Sequence, residues 1–183
     1  DLKDYLYDGE AMRTLSGRKL HKKKNRVNSF IRTYEGRYEF RRLCCSDRQD
    51  VWEFLDKWRA GKNEPEEVME GLDEEIVGIH EILKNCSYIP AKMVGVYIDG
   101  ALQAFSREKM AVIHIEKANP EFNGLYQFIN QQFLVHEFPE AVLVNREDDV
   151  GIPGLRKSKM SYNPIGFARK FMVEQKWQKK SGI

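Results

Sequence analysis

Cysteine is scarce, with three residues in 183: Cys44, Cys45 and Cys86. An odd count with a vicinal pair and no C-x-x-C spacing argues against a disulfide framework and a cysteine zinc site, and suits a reducing compartment. The three thiols are expected as small hydrophobes buried at a strand end and a helix end, and no metal site is expected. Long apolar runs are lacking too. Nothing approaches the ~20 residues that span a bilayer, and the longest stretches, 110–115 and 141–144, have strand length. No charged-then-apolar leader opens the chain, so a cytoplasmic setting is expected. The first residue is not Met, and the expectation is a fragment with a partner half upstream. Acid is lacking over one stretch. Residues 13–32 hold eight Lys or Arg and no Asp or Glu, while the whole chain carries a net charge of +2. The remainder is therefore net acidic. A basic segment on an acidic body suggests an anionic partner: phosphate, nucleic acid or a membrane surface.

What is present suits a folded domain. At 42% hydrophobic and 32% charged residues, the chain is long enough to bury its own core. A single domain over 1–183 is expected. Residues 10–34 read as helix with a break at Ser16-Gly17. Leu20, Val27, Ile31 and Tyr34 make an apolar stripe, and Lys19, Lys22, Lys23 and Arg26, at i, i+3, i+4 and i+7, make a basic one. Residues 37–44 read as a strand. Ser46 with Gln49 is a capping-box pattern for a helix whose Val51, Phe54, Leu55 and Trp58 share a face. Pro65 starts another, with Val68, Leu72, Ile76, Ile79 and Leu83 at helical spacing.

The period then falls to two. Segments 93–98 and 101–107 flank Asp99-Gly100, a two-residue hairpin signal, and 110–118 adds a third strand. Asn119-Pro120 stops it. A helix over 123–138, a strand over 141–146, a Gly/Pro-led helical turn or loop over 151–159 and a last strand or extended segment over 165–173 follow. A strand–helix–strand run this short makes a right-handed crossover, so 110–118 and 141–146 are expected to be parallel. The fold class is α/β of the α+β kind: a mixed, mostly antiparallel sheet with one parallel βαβ crossover and flanking helices. That order is the outline of a GNAT acyltransferase fold, with a crevice beyond the carboxyl ends of the parallel strands.

Three constellations carry chemistry. The pleat puts His114 and Glu116 on one strand face, where either would serve as base to an attacking amine. A buried His–Glu pair is the structural alternative. Asn119, Asn123, Gly124 and Tyr126 surround a helix N-terminus, a natural anion site. A coenzyme A loop wants a second small residue where Tyr126 stands, and close helix packing at Gly124 is the alternative. The densest polar cluster runs from Asn145 through Arg146, Asp148 and Arg156 to Lys159, either a ligand-binding crevice or a salt-bridged loop. The basic stripe is either a solvated face or a polyanion contact.

Three stretches together resemble a known family: Leu-Ser-Gly-Arg-Lys-Leu-His-Lys-Lys-Lys-Asn-Arg-Val-Asn (15–28), Ile-His-Ile-Glu-Lys-Ala-Asn-Pro (113–120) and Asn-Arg-Glu-Asp-Asp-Val-Gly-Ile-Pro-Gly-Leu-Arg-Lys-Ser-Lys (145–159). They are similar to bacterial proteins related to the C-terminal domain of phosphatidylglycerol lysyltransferase, many known only as a domain of unknown function. The resemblance runs from about Tyr5 to about Val173. It implies tandem GNAT-like domains, this chain being the C-terminal one, and transfer of an aminoacyl group from aminoacyl-tRNA. The acceptor would be an amine or hydroxyl on a small molecule, a peptide or a lipid head group. On that reading Glu116 takes the acceptor proton, directly or through water. Asn145, Arg146 and Arg156 orient the donor, and Lys19, Lys22, Lys23 and Arg26 hold the tRNA by its phosphates. Two rivals stand beside it: an N-acyltransferase using acetyl-CoA, and a non-catalytic module binding RNA or protein.

Overall fold

The computed structural model describes residues 3–88, 91–108 and 111–170. β1 (Lys3–Asp8) comes first, and its alternation is too short to be legible from pattern alone. Asp8 accepts a hydrogen bond from the Ala11 amide at 2.7 Å and so caps α1 (Gly9–Thr14). Leu15, in the left-handed region, ends α1, and α2 (His21–Thr33) follows the Ser16-Gly17 break. The break expected within 10–34 is thus present and separates two helices. Next come β2 (Tyr38–Arg42), α3 (Arg48–Ala60), α4 (Glu66–Lys84), β3 (Lys92–Ile98), β4 (Ala101–Glu108) and β5 (Ile113–Ala118). The chain continues with α5 (Leu125–Glu137), β6 (Leu143–Asn145), α6 (Pro153–Met160) and β7 (Gly166–Arg169). Met110 of the expected third strand, and 171–173 of the expected last segment, lie outside the described residues.

The strands form two sheets, β2-β3-β4-β5 and β6-β1-β7, and every strand pairing is antiparallel. The hairpin between β3 and β4 turns on Asp99 and Gly100, both at positive φ (51° and 82°), as a right-twisting two-residue turn requires. The larger sheet is covered on both sides. Val94, Val96 and Ala104 face α5 and, outside it, α2, with Phe30, Phe128, Ile129 and Phe133 in one core. Met93, Phe105 and Ile115 point the other way, onto Val51, Phe54, Leu55, Ile79 and Leu83 of α3 and α4. Strict alternation along β3 thus serves two cores at once, so the strand is apolar on both faces.

Two expectations are corrected. The parallel ladder between 110–118 and 141–146 does not form. It shrinks to one bridge, Val112 with Asn145, where the Asn145 amide donates to the Ala111 carbonyl at 2.9 Å. The reason is β1, which takes Leu143, Val144 and Asn145 as antiparallel partners and leaves β6 little backbone for β5. The second correction is covalent. Cys45 and Cys86 are bonded, with their Cα atoms 5.9 Å apart across 41 residues of sequence, so they are not merely buried hydrophobes. The bond ties the start of α3 to the end of α4, and Cys44 stays an exposed thiol. The entry to α3 also shifts: Asp47, not Ser46 with Gln49, closes the turn by accepting from the Cys44 amide at 2.7 Å.

Candidate functional site

The densest polar cluster splits in two. On its inner side, Glu116 of β5 points from the sheet toward α5. One carboxylate oxygen accepts from Asn130 Nδ2 at 2.6 Å and the other from an Arg146 guanidinium nitrogen at 3.0 Å. The two ionised side chains are only 9% and 11% exposed. Asn130 is buried on α5, and its Oδ1 has no hydrogen-bond donor among the described residues. The Arg146 guanidinium lies 4.9 Å from the Tyr162 ring centre, and Lys23 Nζ lies 4.2 Å from the same ring. Burial is the main cause pushing the Tyr162 hydroxyl up to about 12 and the Lys23 ammonium down to about 8, and Arg26 and Arg146 add to the Lys23 shift. Tyr7 completes the wall and donates its hydroxyl proton to the Lys159 carbonyl at 3.0 Å.

On the outer side, Asp149 accepts both donors of an Arg156 fork (2.8 and 3.1 Å), the Tyr5 hydroxyl and the Gly151 amide. Those donors hold its carboxyl far below the usual range, Arg156 contributing most. Asp148 binds Lys170 and the Val150 amide. Between the two sides the backbone is strained: Glu147 and Val150 sit at φ 52° and 42°, the latter unusual for a β-branched residue. Lys159 holds this loop from beneath. It is buried, and its ammonium donates to the carbonyls of Arg146 (2.6 Å), Glu147 (3.3 Å) and Asp148. Burial and nearby Arg146 lower its pKa to about 8.

The expected site residues therefore separate. Glu116 and Arg146 meet. His114 shares the strand face with Glu116 but sits outside it at the surface, 2.8 Å from Glu147 Oε1. Asn145 is committed to Asp4 and to the Glu147 amide. Asn119 spans Gln103 and the Glu121 amide, Asn123 is exposed, and Tyr126 packs against the core around α5. Gly124 is pressed against α2: a Cβ there would stand 2.3 Å from the Arg26 carbonyl oxygen. That side of the α5 N-terminus is filled by protein. Of the basic stripe, Lys19, Lys22 and Arg26 are exposed, and only Lys23 turns inward. Asn130, Tyr7 and Tyr162 were missed. A polar Asn130 between Ile129 and Phe133 was a usable signal; the tyrosines offered none beyond alternation.

The family model described as phosphatidylglycerol lysyltransferase, C-terminal, matches residues 1–174, and the chain belongs to that family. An uncharacterized protein of Mycoplasmoides gallisepticum is 26% identical over 175 residues, covering 93% of this chain and 56% of its own length. A crystal structure of a conserved protein of unknown function from Bacteroides thetaiotaomicron superposes with a TM-score of 0.83 at 29% identity, over 90% of this chain and 56% of that one. The C-terminal domain described as that of a lysylphosphatidylglycerol synthetase from Agrobacterium fabrum shares the fold, with a TM-score of 0.57 at 15% identity over 91% and 58%. This chain thus spans little more than half the length of these relatives.

Proposed function

Taking membership of that family as the premise, we propose that the chain is a GNAT-like aminoacyl-transfer domain. It would use aminoacyl-tRNA as donor and an amine or hydroxyl as acceptor, and act beside a second, upstream domain in a longer protein. The observation that carries the reading is the buried Glu116, fixed between Asn130 and Arg146 beside an otherwise apolar and aromatic core. A carboxylate and a guanidinium already held by protein partners need little reorganisation when charge develops.

In this mechanism the acceptor nitrogen or oxygen bonds to the aminoacyl carbonyl carbon. Its proton passes to Glu116, directly or through water. Arg146 stabilises the negative charge on the tetrahedral intermediate. Collapse breaks the ester bond to the ribose, and the proton goes to the departing ribose oxygen, which restores Glu116. Asn130 Oδ1, a buried acceptor with no donor among the described residues, is the group that an ammonium reaching Glu116 would meet. The filled space at Gly124 favours this donor over acetyl-CoA, since the backbone cannot open toward a pyrophosphate there.

The test is transfer from charged tRNA to phosphatidylglycerol vesicles and to small amines. Glu116→Gln should keep the fold and the donor affinity and lower turnover about 100-fold, the share typical of a general base. Unchanged turnover would remove Glu116 from the mechanism. Saturable acetyl-CoA binding without any aminoacyl transfer would overturn the donor, and RNA binding without transfer to any acceptor would leave a binding module.

A further inference from the structure

α3 and α4 run antiparallel as an excursion between two strands that are themselves neighbours. At its base, Arg42 of β2 pairs with Val94 of β3, and the Leu43 amide donates to the Met93 carbonyl at 2.9 Å. Arg59 meets Asp73 beside the 61–65 connection, and the Trp52 and His80 rings meet midway, their centres 5.2 Å apart. The Cys45–Cys86 bond closes the open end. That bond lies at the rim of the layer: both of its cysteines are partly exposed, and Cys44 beside them is exposed. Disulfides within reach of solvent are the labile ones, whereas enclosed structural ones resist reduction.

The two sulfurs are not equivalent. Cys45 opens a 3-10 turn (Cys45–Asp47) that leads straight into α3, at the positive end of that helix. Asp47, the acid in the turn, is offset by Arg41 at 2.9 Å. Cys86 follows the end of α4 at Lys84, on the negative side of its helix. A thiolate on Cys45 is therefore better stabilised, which makes Cys45 the better leaving group. Cys44 is engaged elsewhere: its Sγ lies 2.9 Å from Ser46 Oγ and donates to Asp47 Oδ2 at 3.2 Å. We propose that Cys45–Cys86 is an exchange site for low-molecular-weight thiols, with Cys86 the sulfur attacked and Cys45 the thiolate released. The thiolate of the small molecule bonds to Cys86 Sγ, the Cys45–Cys86 bond breaks, and the Cys45 thiolate takes a proton. A second small thiol attacks the small-molecule sulfur of that mixed disulfide, frees Cys86 as a thiol and leaves as the oxidised small disulfide. Two small thiols are oxidised, one protein bond is reduced, and the two protons end on Cys45 and Cys86. The site is a reversible latch on the α3/α4 layer and stands apart from the aminoacyl-transfer reading.

The experiment uses the whole chain, oxidised first with glutathione disulfide and then given reduced glutathione without denaturant. Samples are quenched with acid at intervals and the adducts located by peptide mass spectrometry. The bond should open while circular dichroism shows a folded chain, because the β2–β3 pairing at the base of the excursion does not depend on it. The first glutathione adduct should sit on Cys86 about tenfold more often than on Cys45, the scale set by a more acidic leaving thiol. Cys44→Ser, at an exposed position, should change neither the rate nor the place of attack. Returning glutathione disulfide should restore the bond. A bond that opens only in denaturant overturns the proposal, as does a chain that keeps three free thiols after the oxidising step. Adducts shared equally between the two cysteines, or found mostly on Cys45, overturn the assigned direction. Slower opening in Cys44→Ser would overturn it in favour of attack through Cys44.

Discussion

The two faces of the large sheet are built differently. On the α3/α4 face, ion pairs such as Arg41–Asp47 and Arg59–Asp73 lie at the rim, and a covalent bond between Cys45 and Cys86 closes the layer. On the α5 face, a carboxylate and a guanidinium lie inside the packing. A buried ion pair adds little stability over apolar side chains of similar size, because desolvation offsets the attraction. The α3/α4 face also buries a guanidinium, that of Arg107 opposite Met93, yet closes with the ion pairs named above at its rim. The contrast singles out Glu116 and Arg146 as the buried ion pair facing α5, which is why the proposed chemistry is tested there.

The largest expected effect breaks the covalent tie. Cys86→Ser releases a 41-residue loop and should cost about 4 kcal/mol of stability on the chain-entropy account. Urea denaturation with and without reductant measures it, and transfer activity at low temperature should be unaffected. No change in midpoint would mean the α3/α4 layer stands without the bond. Next is Arg146→Met, which strands Glu116 in the core and should cost about 3 kcal/mol. Arg59→Met, at a half-exposed pair, should cost under about 1 kcal/mol in the same assay. Equal losses would erase the distinction between the faces.

Acid sharpens the comparison further. The hydrogen bond from Arg41 holds the Asp47 carboxyl at about 2, below its ordinary 3.8. A depressed folded-state value means its stabilisation is present above about pH 4 and fades as pH falls toward 2. Asp47→Asn should flatten that part of the acid-unfolding curve, read by circular dichroism. An identical curve would show that the rim pair contributes nothing.

The smallest effect concerns α2. Replacing Lys19, Lys22 and Arg26 by Gln should reduce the salt dependence of RNA binding by about two in the log–log slope, as expected for three phosphate contacts with a single strand. Lys23→Gln, whose ammonium rests on Tyr162, should leave the slope nearly unaltered. A slope that responds to Lys23 alone would move the polyanion path inward.

Most of the secondary structure was legible because its causes are local. The apolar spacing of α3 and α4, the Asp99-Gly100 turn and the alternation of β3 to β5 each depend on neighbours a few residues away. Glu116 and Arg146 were both legible as members of dense polar motifs serving one site, whereas Asn130, which holds the other carboxylate oxygen, was missed. The sequence by itself determined the flanking helices, the antiparallel meander and the one basic segment. Tertiary structure alone decided which side of the 145–159 cluster each charge faces and which of the four basic residues turns inward. It also inserted β1 beside β6 and joined Cys45 to Cys86. Those outcomes depend on competition between segments distant in sequence for the same backbone bonds and the same buried volume. Leu6 with Asn145, and Tyr5 with Asp149, are pairings that no local pattern encodes.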